Sequence, residues 1–230
     1  MISPPASASA DGSETATVIV RPYGNPLPLG LFSFGIGMAL TAGAALGVIG
    51  GDQIRPMGIL LAVFVFPVQF LAAVMAFLTR DTAAAAALGL FATSWAGLGV
   101  LHIVAPAQQT SVTAGMYLCA FALMLLPLAV TAFFGKTLLG VVLSVSTVRA
   151  ALAAAYQLGA PHALELANGA LSLLLVALAC YAGTAFLVED LRQRTVLPIR
   201  RRGEARRAVE SDLGDQHSRL PREPGVRKQL

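Results

Sequence analysis

The chain has 230 residues, 56% hydrophobic and only 12% charged, with a formal net charge of +4. Its apolar residues fall in blocks of about twenty, long enough to cross a bilayer, which excludes an ordinary soluble domain. The blocks are too continuous for the alternation of a barrel strand, and lipid offers no partner to open backbone groups, so the expected fold is an all-α integral membrane protein.

In chain order, residues 1–28 form a polar lead rich in Ser, Ala and Pro. It has no apolar core ahead of a cleavage site, so it is expected to be a disordered cytoplasmic lead and not a secretory signal. Six charge-poor stretches follow: Leu29 to Ile49, Met57 to Leu78, Ala83 to Val104, Val112 to Phe134, Thr137 to Leu158 and Leu164 to Val188. Only Arg149 and Glu165 carry formal charge inside them. The expected organisation is therefore a transmembrane body over residues 29–190, followed by a basic, mostly disordered tail over 191–230.

Of the sixteen Lys and Arg residues, eleven lie between Arg192 and Lys228, after the last apolar stretch. Cytoplasmic segments carry such excesses, which places the tail inside. Six spans return the N-terminus to the same side, with Arg80 and Lys136 in inside loops, no basic residue in the loop from Ala105 to Ser111, and Arg55 as a minor exception outside. The expected location is the plasma (inner) membrane, multi-pass, with both termini cytoplasmic. The tail also carries Glu204, Glu210, Asp212, Asp215 and Glu223 and no interleaved aromatics, so its basic balance reads as contact with membrane lipids and not nucleic acid.

Cys119 and Cys180 lie within spans, where a thiol behaves as a small apolar group, and two cysteines give no disulfide framework. His102, His162 and His217 are far apart and match no zinc, haem or iron–sulfur spacing. With no paired carboxylates and no nucleophile–base set in the membrane, neither an enzyme nor a cofactor is expected, and no catalytic or metal-binding residue is assigned.

Small residues mark where helices can approach: Gly43 with Gly47, the Gly89, Thr93, Gly97 series, and the alanines from Ala83 to Ala87, all read as packing faces. Polar residues inside spans are more telling, because each must face the bundle interior, water or a partner. Gln69, Thr93, Ser94, Ser144, Ser146, Thr147 and Arg149 are the candidates. Gln69 follows Pro67, which removes a backbone donor, so it either lines a polar path or holds the bundle by an interhelical hydrogen bond. Arg149 lies midway along the fifth span, where insertion scales charge about 2.5 to 3.5 kcal/mol. It either draws an anion into a vestibule or snorkels toward the outer headgroups past Tyr156 and Gln157.

Two motifs bracket the apolar body: Asn25-Pro26-Leu27-Pro28-Leu29-Gly30-Leu31 before the first span, and Arg194-Thr195-Val196-Leu197-Pro198-Ile199 after the last. With these and with Gln69, Thr82, Trp95, Tyr117, Gly169 and Tyr181 between them, the chain resembles the acetate uptake transporter family, the succinate/acetate permeases of bacteria and yeasts, from Asn25 to Ile199. The resemblance implies six transmembrane helices around a narrow central pore, assembled into a homo-oligomer, a hexamer. It implies passage of a small carboxylate substrate, acetate above all, with succinate left open as a further cargo. The family's apolar constriction of a helix-one Phe, a helix-three Tyr and a helix-five Leu maps to Phe34, Phe91 and Ser146. Paired threonines in helix one are replaced by Gly37 and Met38, the Gly-Gly pair before Gln69 by Phe66-Pro67, and an acidic residue late in helix two by Ala76.

The expected substrate pathway accordingly runs past Asn25, Pro28, Gly30, Phe34, Gln69, Phe91, Trp95, Ser146 and Arg149, with Asn25 either capping the opening turn or touching substrate. No Asp, Glu or His lies deep within a span, which suits channel-like permeation or passage of the protonated acid. Two alternatives stand beside this reading: transport of ammonia or another small neutral metabolite, and a non-transporting membrane scaffold or sensor whose tail engages lipid or a cytosolic partner.

Overall fold

The computed structural model describes residues 23–107, 110–192, 194–203 and 205–206. Most of the expected N-terminal lead, Glu204, and the tail from residue 207 on, with His217 and Lys228, lie outside the described residues. Among the described residues, six helices are long and apolar enough to cross a membrane: α1 (Leu27–Ala45), α2 (Gly51–Leu78), α3 (Thr82–Val104), α4 (Val112–Gly135), α5 (Thr137–Gln157) and α6 (His162–Arg192).

Local chemistry sets the helix ends. The side-chain oxygen of Asn25 accepts from the Leu27 N–H at 3.0 Å, so Asn25 caps the opening turn of α1. The helix ends at Ala45 and not at the expected Ile49, because Gly47 adopts a left-handed conformation (φ 75°) and the chain turns back on itself, Ile49 N–H donating to the Gly43 carbonyl at 2.9 Å. Gly47 is thus a helix terminator and not half of a packing face, and Gly43 abuts Ile49 of its own turn. Asp81 and Ser111 cap α3 and α4 by accepting from Ala84 N–H and Ala114 N–H.

The second span is irregular. It opens in a 3₁₀ turn (Gly51–Gln53), runs as α-helix over Ile54–Leu60, widens to a π turn over Leu61–Val65, and resumes as α-helix over Phe66–Leu78. Pro67 occupies the first turn of that last segment, so the widened turn falls where the proline withholds its backbone donor.

The helices close a ring in which α1 packs on α2 and α6, α6 on α5, α5 on α4, α4 on α3, and α3 on α2. Its outer surface is apolar, with Ile36, Phe64, Phe77, Val130 and Phe134 exposed, as lipid-facing positions must be. Cys119 and Cys180 are exposed on it too. Helices α2 and α3 cross backbone against backbone: a Cβ built on Gly58 would lie 2.6 Å from the Gly99 carbonyl, and one on Gly99 would lie 2.7 Å from the Gly58 carbonyl. By contrast, a Cβ on Gly97 would meet nothing within 4 Å, so the expected Gly89–Gly97 face contributes less to contact than its spacing implies.

The expected disordered tail begins within the packed body. Residues 194–203 fold back as a strap across the α4–α5 junction: Leu138 N–H donates to the Ile199 carbonyl at 3.3 Å, Arg202 N–H to the Gly135 carbonyl at 2.7 Å, and Lys136 and Arg201 form an antiparallel bridge. Tyr181 donates its hydroxyl to the Pro198 carbonyl at 3.2 Å. Ile199 is fully buried in a cluster with Leu27, Leu31, Leu88 and Phe186, which brings the opening and closing motifs into one core. Glu189, buried on α6, accepts from Thr195 at 2.7 Å and pairs with the Arg201 guanidinium through two nitrogens. Lys136 pairs with Asp81, and Lys136 and Arg201 both lie over the Phe186 ring.

Candidate functional site

Two cavities stack inside the ring. The one nearer the strap, about 20 Å³, is lined by Leu27, Leu31 and Phe34 of α1, Gln69 of α2, Ala84, Ala87, Leu88 and Phe91 of α3, and Leu139, Val142 and Leu143 of α5. The other, about 120 Å³, lies toward the far ends of the same helices, among Thr41 and Ala44 (α1), Leu98 and His102 (α3), Arg149, Ala153 and Gln157 (α5), and Glu165 and Asn168 (α6). From Phe34 to Thr41 the axial rise along α1 is about 10 Å.

Between the cavities the register places Met38, Trp95 and Ser146, each essentially without exposure. Phe34 meets Phe91 edge to face, ring centroids 4.8 Å apart, and Phe91 meets Phe121 in the same way at 5.3 Å. Trp95 lies tilted 6.3 Å from Phe34, and its indole fills the space left by Gly37, where a Cβ would come within 2.8 Å of the ring. Glycine at position 37 thus makes room for this indole. Aromatic packing separates the two cavities here.

Gln69 is the one polar residue lining the small cavity, whereas several polar groups, Arg149 among them, line the larger one. Gln69, fully buried, accepts from the Trp95 indole N–H at 2.5 Å through its carbonyl oxygen, and its amide nitrogen is left without a partner. That nitrogen is a desolvated donor on a residue that lines the small cavity. Of the two alternatives in the sequence, the interhelical hydrogen bond is present, made by a residue that also borders the small, largely apolar cavity.

Arg149 turns inward and does not snorkel. It is only 6% exposed, and its Nε donates to Ser172 Oγ on α6 at 3.2 Å, while its two terminal nitrogens have no hydrogen-bond partner among the described residues. Ser172 in turn donates to the Asn168 carbonyl at 2.8 Å, and the Asn168 amide nitrogen donates to Glu165 at 3.4 Å. A guanidinium with free donors on a cavity wall is suited to a carboxylate.

The remaining expected pathway residues are distributed unevenly. Phe34, Phe91, Trp95 and Gln69 come together; Arg149 belongs to the larger cavity; Ser146 is buried between the two with its hydroxyl unpartnered, while Leu139, Val142 and Leu143 of the same helix face the Phe34–Phe91 neck. Asn25, Pro28 and Gly30 line neither cavity: Asn25 caps, and Gly30 lies against Leu88. Thr93, Ser144 and Thr147 bond their hydroxyls to carbonyls one turn back on their own helices. Sequence reasoning missed Glu165, Asn168 and Ser172 as one site, although their spacing of three and four residues marks a polar stripe on a single face of α6.

The sequence model of the GPR1/FUN34/yaaH family matches residues 9–199. The chain belongs to this family. Among solved structures, the bacterial acetate channel SatP is similar to it with a TM-score of 0.67 at 25% identity, over 76% of this chain and 98% of that one. No curated protein sequence matches the chain. The family match covers both bracketing motifs and all six spans, so the ring, the two cavities and the strap as far as Ile199 fall within it.

Proposed function

We propose that the protein is a channel-like permease for small monocarboxylates, with acetate the first cargo. The observation that carries this is the pairing of the two cavities: an inward-facing Arg149 with unpaired donors in one, and the orphaned Gln69 amide in the other, on either side of the Phe34–Phe91–Trp95 plug. A carboxylate held by Arg149 would shed water there and pass the aromatic neck to the Gln69 donor when the rings part. The likeness to an acetate channel supports the same cargo.

Orientation follows the positive-inside rule: Arg80, Lys136 and the Arg200–Arg202 run gather at the strap end, which we assign to the cytoplasm of the plasma (inner) membrane, with the Arg149 cavity opening outward. The protein acts in this reading as a homo-oligomer, a hexamer by family resemblance, each protomer carrying its own path.

Radiolabelled acetate flux into proteoliposomes tests the proposal. Wild type carries acetate above empty liposomes, and Arg149→Ala lowers the rate about tenfold or more, the loss of roughly one charge-assisted hydrogen-bonding partner. No flux above empty liposomes overturns the acetate reading, and ammonia flux in its place transfers the function to a neutral cargo. Acetate flux indifferent to Arg149→Ala removes only the role given to Arg149.

A further inference from the structure

The outer cavity holds one guanidinium and one carboxyl group on neighbouring helices. Arg149 of α5 and Glu165 of α6 line the same space of about 120 Å³, yet they form no ion pair with each other, and the terminal nitrogens of Arg149 are without partners among the described residues. Glu165 is held from its own helix by the Asn168 amide at 3.4 Å. The other titratable groups near it are His102, which lines the cavity from α3, and His162, which begins α6 and lies against Tyr156.

A carboxylate that serves only to neutralise a buried arginine would be expected in contact with it. Here the two instead line one cavity without pairing. We propose that Glu165 is a specificity-determining residue that makes the Arg149 cavity a site for monocarboxylates and turns dicarboxylates away, an inference that rests on the carboxylate reading of the site. One carboxylate satisfies the unpaired guanidinium nitrogens. A second carboxylate at the far end of a four-carbon chain is confined with Glu165 in a small, partly desolvated space, where like charges repel far more than in water. Discrimination by a built-in repulsive group is a general route to specificity, since selectivity is a difference between two affinities.

A merely charge-balancing Glu165 would affect all anions in proportion to their common interaction with Arg149. A filter acts on the second charge. The decisive comparison is therefore between succinate and monomethyl succinate, which share length and differ by one charge, measured by isothermal titration calorimetry on the full-length protein in nanodiscs at neutral pH, with acetate as reference.

Wild type is expected to bind acetate and monomethyl succinate at least about tenfold more tightly than succinate, and Glu165→Gln to bring succinate within about threefold of its monoester, with Glu165→Asp restoring the gap. Equal binding of succinate and its monoester by wild type overturns the inference without recourse to any variant, and so does a ratio unchanged in folded Glu165→Gln. Acetate flux in proteoliposomes is scored separately. Charge discrimination without flux overturns the transport reading and upholds the filter, flux without discrimination does the reverse, and absence of any carboxylate binding overturns both.

Discussion

The indole N–H of Trp95 donates to the side-chain oxygen of Gln69 at 2.5 Å across the α2–α3 interface, and neither residue is exposed. This bond takes up the amide oxygen and leaves the buried amide nitrogen without a partner. Trp95→Phe keeps an aromatic ring against Gly37 but frees the amide to turn. Interhelical hydrogen bonds in membranes contribute about 0.6 kcal/mol on average and up to about 1.7, and a loss in that range is expected in the thermal stability of the purified protein. Acetate flux should fall as well, and unchanged flux would argue against an oriented Gln69 donor.

The neck itself is tested by truncation. Phe91 touches both Phe34 and Phe121. Phe91→Ala should lower stability by about 3 to 5 kcal/mol if its site does not collapse, and should widen the small cavity toward Trp95. The expected functional result is a rise in acetate flux of severalfold and a weaker dependence on chain length across acetate, propionate and butyrate, read in proteoliposomes. A folded variant with the wild-type length profile would place the rate-limiting constriction elsewhere.

The spans were legible because bilayer thickness imposes a block length that composition alone reveals. Helix ends were less so: the chain leaves α1 at Ala45 because Gly47 takes a left-handed turn, a property of backbone angle that an unbroken apolar run conceals. Arg149 was visible as an anomaly, but its direction depended on Ser172, a residue 23 positions away whose polar stripe with Asn168 and Glu165 has meaning only once α5 and α6 are adjacent. The same holds for the closing motif. Its residues identified the family, yet a segment flanked by arginines reads as solvated tail, and only the burial of Ile199 against Leu27 and Leu31 reveals it as part of the core.

That strap gives a third prediction. Glu189 is buried and holds Arg201 through two nitrogens, with Thr195 on one of the same oxygens. Arg201→Gln should cost about 3 to 5 kcal/mol, because it leaves a buried carboxylate unpaired, whereas the double variant Glu189→Gln/Arg201→Gln should recover much of that loss. Denaturation of the single and double variants gives the coupling energy directly. Limited proteolysis after residue 192 should accelerate in the single variant, since the strap then loses its ion pair and keeps only its backbone bonds, the Thr195 and Tyr181 hydroxyl contacts and the burial of Ile199.

The last prediction concerns the crossing of α2 and α3. Gly58 and Gly99 face each other so closely that a methyl group on either would press on the other's carbonyl, at 2.6 and 2.7 Å, with Ala62 backbone 2.9 Å from a Cβ on Gly99. Backbone cannot swing aside as a side-chain terminus can, so relief requires the helices to separate. Gly58 lies one turn ahead of the π turn at Leu61–Val65, and separation there would also shift Met57 and Leu98, which line the Arg149 cavity. Gly58→Ala and Gly99→Ala are therefore expected to destabilise the protein by more than the roughly 1 kcal/mol that separates glycine from alanine in helix propensity, and in the opposite direction. Gly97→Ala, whose added methyl meets open space, is the control: it should leave thermal stability unchanged or raise it slightly. Equal effects at Gly97 and Gly99 would mean that helix propensity, and not the close crossing, governs this part of the bundle.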